Sequence, residues 1–200
     1  MAEVTMEMIK KLRERTAAGF MDCKKALEEA GGDMEKAVDL LRQKGLAVAA
    51  KRAGKATTEG VVVAYIHANK KLGAMVEVNC ETDFVARTEE FQKFAYDVAM
   101  HIAATNPICI SRDDMPQEVL EKEKEIYAAQ ARESGKPENI IEKIVQGKLE
   151  KFYKEAVLLE QPFVKNPDLT IQDLLNELMS KTGERIVIRR FTRYQVGEEA

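Results

Sequence analysis

Over the first 45 residues, apolar side chains recur three and four apart in three short bursts. Met8, Ile9 and Leu12 share one helical face, with Thr5 placed to cap it. Cys23, Ala26, Leu27 and Ala30 line a second helix that starts near Asp22. Gly31-Gly32 breaks that helix, and Asp33 caps a third whose stripe is Met34, Ala37, Val38 and Leu41. Gly45 is expected to end it in the C′ position. Three helices in so few residues make a minimal bundle with a thin core.

The texture then changes twice. Residues 47–58 are small and basic and read as a linker, in part a helical extension of the third helix. Residues 61–66 are a strand by their β-branched content, and His67 to Lys71 make a turn. Ala74, Val76 and Val78 alternate with Met75, Glu77 and Asn79, so the returning strand has one buried and one partly wet face. The two are expected to pair as an antiparallel hairpin. The clearest helix follows, with Phe91, Phe94, Ala95, Val98, Ala99 and Ile102 at helical steps. This stripe leaves His101 on the polar side, as a surface residue.

Further on, the pattern predicts an extended segment at 108–110 and a charged helix over 116–134, broken at Gly135-Lys136-Pro137. A short helix around Ile140, Ile141, Ile144 and Val145 should end at Gly147, and a separate one should cover 148–159. An extended stretch at 161–164 leads to a last helix capped by Thr170 and stopped by Gly183. The final strand, 185–191, should set Ile186, Ile188 and Arg190 against Val187, Arg189 and Phe191 on opposite faces. The fold class is α+β. A three-helix N-terminal module (1–46) and a linker (47–58) precede a small antiparallel sheet packed with helices (59–200).

Composition narrows the function classes. The net charge of −3 gives no global drive toward nucleic acid or an anionic membrane. Residues 1–55 carry 12 Lys/Arg against 9 Asp/Glu, too interleaved for a nucleic-acid footprint. No apolar run approaches the roughly 20 residues that span a bilayer, and the N-terminus lacks a signal-peptide pattern. The odd cysteine number suits a reducing compartment, so the expected location is the cytoplasm. Cys23, Cys80 and Cys109 form no CxxC or Cys/His cluster, and no Gly-rich phosphate loop occurs, so no metal or cofactor is expected. Only two histidines are present, His67 and His101, and no local motif supplies a nucleophile with a positioned base. An enzyme using Asp83 or His67 would have to turn over without a protein partner.

The most informative run is Glu77-Val78-Asn79-Cys80-Glu81-Thr82-Asp83-Phe84-Val85-Ala86-Arg87. It begins as a strand and ends by launching a helix, with an acid beside a large aromatic at the joint. An exposed phenyl ring gains nothing from folding, so an aromatic there points to burial against a partner. The structural alternative is that Asp83 caps the following helix and Phe84 packs back on it as a staple. Phe20-Met21, between the first two helices, has the same pair of readings, with a core plug as the structural one.

Glu77 to Arg87 closely resembles the Thr-Asp-Phe-Val-Ala-Arg signature of the elongation factor Ts family, the nucleotide exchange factors of the translational GTPase elongation factor Tu. Leu12-Arg13-Glu14-Arg15-Thr16-Ala17-Ala18-Gly19-Phe20-Met21-Asp22-Cys23-Lys24-Lys25-Ala26-Leu27 is similar to the family's N-terminal signature, with Ala17 where Gly is usual. Gly147 to Tyr153 and Leu159 to Val164 resemble its C-terminal half. The N-terminal module resembles a ubiquitin-associated (UBA) domain, which also has a Gly-aromatic loop between its first two helices.

The resemblance implies guanine nucleotide exchange without chemical catalysis. Phe84 would insert between helices of the partner's G domain, flanked by Thr82 and Val85. Asp83 would perturb the magnesium and phosphate side of the site. Arg13, Phe20 and Met21 of the N-terminal module would hold the G domain elsewhere. Longer members have two core subdomains and a protruding helical hairpin, and this chain has the length of the short form. Short forms can dimerise, giving a 2:2 complex, and the final strand could offer a sheet edge for it. The alternative function is a UBA-like protein-binding module without exchange activity.

Overall fold

The computed structural model describes residues 4–16, 18, 20–133 and 137–198. The N-terminal head consists of α1 (Met6–Thr16), α2 (Phe20–Glu29) and α3 (Met34–Arg52). Its caps are those expected. Thr5 Oγ1 accepts from Met8 N–H at 3.3 Å, and Asp33 Oδ1 accepts from the N–H groups of Glu35 and Lys36. Ile9, Leu12, Cys23, Ala26, Leu27 and Ala37 form a small buried cluster between the helices. Ala17 and Gly19 lie outside the described residues.

The third helix does not end at Gly45. α3 continues to Arg52, so residues 47–52 of the expected linker are helical. The glycine serves packing instead: a Cβ there would meet the Asn176 carbonyl oxygen at 3.0 Å, where α3 crosses a later helix, α8 (Ile171–Thr182).

The core is a three-stranded antiparallel sheet in the order β1 (Glu59–Ile66), β2 (Leu72–Cys80), β5 (Val187–Gln195). β1 and β2 form the expected hairpin, with Val61 opposite Val78 and Tyr65 opposite Ala74. One sheet face is buried, through Ala74, Val76 and Val78, under α5 (Glu89–Thr105), and α8 packs against α5 in the same core. Phe91, Val98, Ala99 and Ile102 of α5 are fully or almost fully buried there. Truncating such a phenyl ring to alanine typically costs about 3–5 kcal/mol. The other face stays open, with Val62, Ile66, Met75 and Tyr194 exposed.

β5 departs from simple alternation. Glu77 pairs with Arg190 but Val78 pairs with Ile188, so Arg189 is the extra residue of a β-bulge. Past the bulge the faces exchange. Ile186 and Ile188 are buried, Arg190 is exposed, and Phe191 packs on the core. Arg193 joins that face and donates from Nε to the Ala103 carbonyl at 3.1 Å.

α5 is followed by a short 3₁₀ turn, Arg112–Asp114, then α6 (Gln117–Glu133) and α7 (Glu138–Ala156). These two helices pack on each other. Ser134, Gly135 and Lys136 between them lie outside the described residues. α7 runs unbroken through Gly147, so the two helices expected on either side of it are one. No atom crowds that glycine, and the flanking Ile141 and Leu149 bury on the same helix. A two-stranded ribbon, β3 (Pro162–Phe163) with β4 (Asn166–Thr170), leads into α8. A reciprocal Thr170–Asp173 capping box starts α8, and Gly183 at φ 70° stops it.

His101 is not on the surface: it is fully buried. The β3–β4 segment covers the flank of α5 that a surface helix would leave polar. Val164 N–H donates to Nδ1 at 3.4 Å, so the proton sits on Nε2, which donates to Gln161 Oε1 at 2.9 Å. Burial holds this imidazole below the usual histidine range, and the Gln161 bond opposes that only in part.

Candidate partner-binding interface

The strand β2 ends at Cys80, and a single helical turn, α4 (Asp83–Ala86), joins it to α5. Threonine caps both starts. Thr82, extended at φ −127° and ψ 153°, accepts from Val85 N–H at 3.4 Å. Thr88 accepts from Phe91 N–H at 3.3 Å and donates its hydroxyl to the Val85 carbonyl at 2.8 Å. The capping expectation for Asp83 is therefore corrected, because Thr82 caps α4. The Asp83 carboxylate instead pairs with Arg87 at 2.8 Å, one turn on.

The turn sorts its four residues by exposure. Ala86 is buried and Val85 packs on the core cluster. Phe84 is 79% exposed, the most exposed large hydrophobic among the described residues. It does not fold back on α5, so the staple reading fails.

What holds the turn comes from far along the chain. Glu184, the residue after the Gly183 stop, accepts at Oε2 from the N–H groups of Glu81 and Thr82, each at 3.1 Å. Its Oε1 accepts the Thr82 hydroxyl at 2.6 Å. Glu81 reciprocates, accepting at Oε1 from Arg185 N–H at 2.7 Å and at Oε2 from Arg52 Nη1 at 3.0 Å. Cys80 donates its thiol to the Thr82 carbonyl at 3.1 Å. Burial and the neighbouring Glu184 push the Cys80 thiol up to about 11, so it stays protonated at neutral pH. Glu81, Glu184, Arg185 and Arg52 were missed by sequence reasoning. Glu184 lies 102 residues from Thr82, beyond any local pattern.

The residues expected on the head lie at its surface. Arg13 is exposed on α1, Phe20 opens α2 at 36% exposure, and Met21 is 58% exposed. The head reaches the Phe84 turn through α3, whose Arg52 is the one that grips Glu81.

The enzyme alternative finds no joint site. His67 follows β1 at the hairpin turn, while Asp83 lies beyond the opposite end of the nine-residue β2. At about 3.3 Å per residue, that strand keeps them roughly 25 Å or more apart. His67 Nδ1 and the Tyr65 hydroxyl bond locally at 2.9 Å. Among the described residues no helix is long and apolar enough to cross a membrane.

Comparison with known proteins matches nearly the whole chain. The family model described as Elongation factor TS matches residues 2–198. Elongation factor Ts of Desulfotalea psychrophila is 67% identical over 194 residues, covering 97% of this chain and 98% of that protein. Elongation factor Ts of Carboxydothermus hydrogenoformans is 63% identical over 195 residues, covering 98% and 90%. That of Syntrophobacter fumaroxidans is 61% identical over 197 residues, covering 98% of each. With its signature turn in place and its full length matched, the chain belongs to the elongation factor Ts family.

Proposed function

We propose that this protein is a cytoplasmic guanine nucleotide exchange factor for elongation factor Tu, acting in translation elongation, with Asp83 and Phe84 as the element that loosens the nucleotide site. The observation that carries this reading is Phe84, 79% exposed on a turn whose backbone is tied down. A free ring in water is a cost that a partner's apolar cleft recovers, roughly 1.5–3 kcal/mol for one aromatic. Asp83 stands beside it in an exposed ion pair with Arg87. Such pairs contribute only about 0–1 kcal/mol, so the carboxylate can exchange Arg87 for a group of the partner at little cost.

An exchange factor needs no bond chemistry. It binds the nucleotide-free GTPase more tightly than the loaded one, and linkage makes that preference weaken GDP binding by the same factor. Magnesium and backbone amides hold the diphosphate of a GTPase, so a wedge on that side acts where small shifts matter. Arg13, Phe20 and Met21 supply the second hold. The division into head (1–46), connector (47–58) and core (59–200) belongs to the same proposal. The continuous α3 makes the connector's first part a shaft rather than a tether.

The test is release of a fluorescent GDP analogue from purified elongation factor Tu, with excess unlabelled GDP. Acceleration by substoichiometric amounts of this chain is the expected result. No acceleration from a folded chain would leave the protein-binding reading of the head.

We propose further that two copies associate, giving a 2:2 complex. The open sheet face with exposed Val62, Ile66, Met75 and Tyr194 and the free edge of β5 favour self-association. Light scattering of the native chain and of Met75→Lys is the check, with the variant expected to be monomeric. A monomeric native chain at micromolar concentration would end this part of the proposal.

A further inference from the structure

We infer that Glu184 is a positioning residue for the exchange element: it fixes the Thr82–Phe84 turn so that the ring is presented in one orientation. The inference rests on the wedge reading of Phe84.

Binding residues are carried on loops that a rigid scaffold positions. Here the backbone N–H groups of Glu81 and Thr82, just before α4, both go to a single carboxylate from the far end of the chain. The same carboxylate takes the hydroxyl of Thr82, the residue that caps α4. These are charge-assisted bonds, the stronger class of hydrogen bond. Glu184 is itself placed by the helix stop before it. Its N–H donates to Thr182 Oγ1 at 3.3 Å, and that hydroxyl donates to the Leu178 carbonyl at 2.9 Å.

Glu81 returns the contact by accepting Arg185 N–H, so each glutamate holds the other's backbone segment. The pair ties together the end of β2, the end of α8 and, through Arg52, the end of α3. None of these bonds uses the side chains of Asp83 or Phe84: the ring stays exposed, and the Asp83 carboxylate keeps its surface pair with Arg87 to exchange for a partner's group. A clamp of this kind lets the binding energy of the ring act on the partner rather than on ordering the turn.

A positioning role and a general stability role separate in one assay. With elongation factor Tu·GDP held limiting and this chain in excess, the saturating release rate does not depend on what fraction of the chain is folded. A partly unfolded variant only needs a higher concentration to saturate. Glu184→Gln keeps one oxygen for the two N–H groups but loses the charge and turns the other atom into a donor facing the Thr82 hydroxyl, and Glu184→Ala removes both oxygens. The expected result is a saturating rate about tenfold lower for Glu184→Ala and several-fold lower for Glu184→Gln. Adding Glu184→Gln to Phe84→Ala should produce no further loss, because both act through the same ring. Losses that multiply would overturn the inference, since Glu184 would then act by another route. So would a folded Glu184→Gln with the native saturating rate beside an impaired Phe84→Ala, which would leave the wedge reading standing. A fully active Phe84→Ala would remove the wedge reading itself, and this inference with it. Should neither Glu184 variant fold, Glu81→Gln, which weakens the reciprocal half of the clamp, is expected to show the same reduced saturating rate, and a native rate there overturns the inference.

Discussion

Two turns in this molecule expose a phenylalanine at the start of a helix within two residues of an aspartate, and they are built differently. The Thr82 turn is held by ties from β2, α3 and the end of α8. Among the described residues, the bonds around Phe20 are mostly local. Thr16 folds its hydroxyl onto the Leu12 carbonyl at 2.8 Å and accepts from Ala18 N–H at 3.4 Å. Cys23 reaches the Ala18 carbonyl at a long 3.8 Å, and Asp22 meets Lys44 of α3 at the surface. Among the described residues, six buried apolar side chains form the head's cluster and twenty form the sheet core's. Opening free energy follows buried apolar contact, so the head is the part that yields first. Under the proposed function the two turns would be different tools: a fixed wedge that transmits force to a site, and a compliant grip that adds affinity while adapting to a surface.

The largest effect that tests this contrast is expected from Phe84→Ala. Losing the partner-buried ring should lower the saturating GDP release rate by about ten- to a hundredfold, as 1.5–3 kcal/mol implies. The melting temperature should stay within a degree or two of the native chain, because the ring is 79% exposed and supports no core packing. A large loss of thermal stability would instead mean that the ring packs in solution.

The double variant Phe20→Ala/Met21→Ala should act on affinity. The concentration of chain giving half-maximal release should rise about five- to tenfold while the saturating rate changes less than twofold. If it lowers the saturating rate as much as Phe84→Ala does, the distinction between wedge and grip collapses.

The sequence made one half of this contrast visible. Thr82, Asp83 and Phe84 stand out because an aromatic on a strand-to-helix joint is out of place, and the hydrophobic period marks β1, β2, α5 and α8, the last with its Thr170 cap. The other half was invisible because it is non-local. Glu184 follows a helix stop like any surface glutamate, and nothing nearby says that it returns to Thr82. The same holds for His101. It sits at the edge of the α5 stripe, seven residues after Phe94, where its polar type suggests the surface and the later placement of Gln161 and Val164 buries it. Glycine misled twice for one reason. At Gly45 and Gly147 the residue type suggested a stop, but a stop needs a left-handed backbone, as at Gly183, and neither of these two has one. The bulge at Arg189 shows the limit of period-two reasoning, since one extra residue moves Phe191 and Arg193 to the buried face.

The smallest predicted effect concerns how the compliant head sits on the rigid core. Glu177 of α8 lines a cavity between the two, together with Val38, Leu41 and Gly45 of α3. Burial pushes its carboxyl up to about 8. Lys181 on its own helix and Arg42 on α3 pull it down, while Asp173 pushes it up. Arg42 is itself paired with Asp173 at 3.6 Å. In the unfolded chain this carboxyl ionises near 4.5. Below that value both states are protonated and the contribution to stability is intact. As pH rises from 4.5 through about 8, the unfolded chain releases a proton that the folded chain keeps, so stability falls across that window. Glu177→Gln removes the titration. The variant should match the native chain near pH 4.5 and melt progressively higher than it toward pH 8. Solvent reaches part of this side chain, which discounts the gain to about 1–2 kcal/mol, or roughly 2–6 °C. Melting curves at several pH values check this. A difference between the two chains that does not change with pH would place Glu177 in water and leave the joint between head and core insensitive to protons.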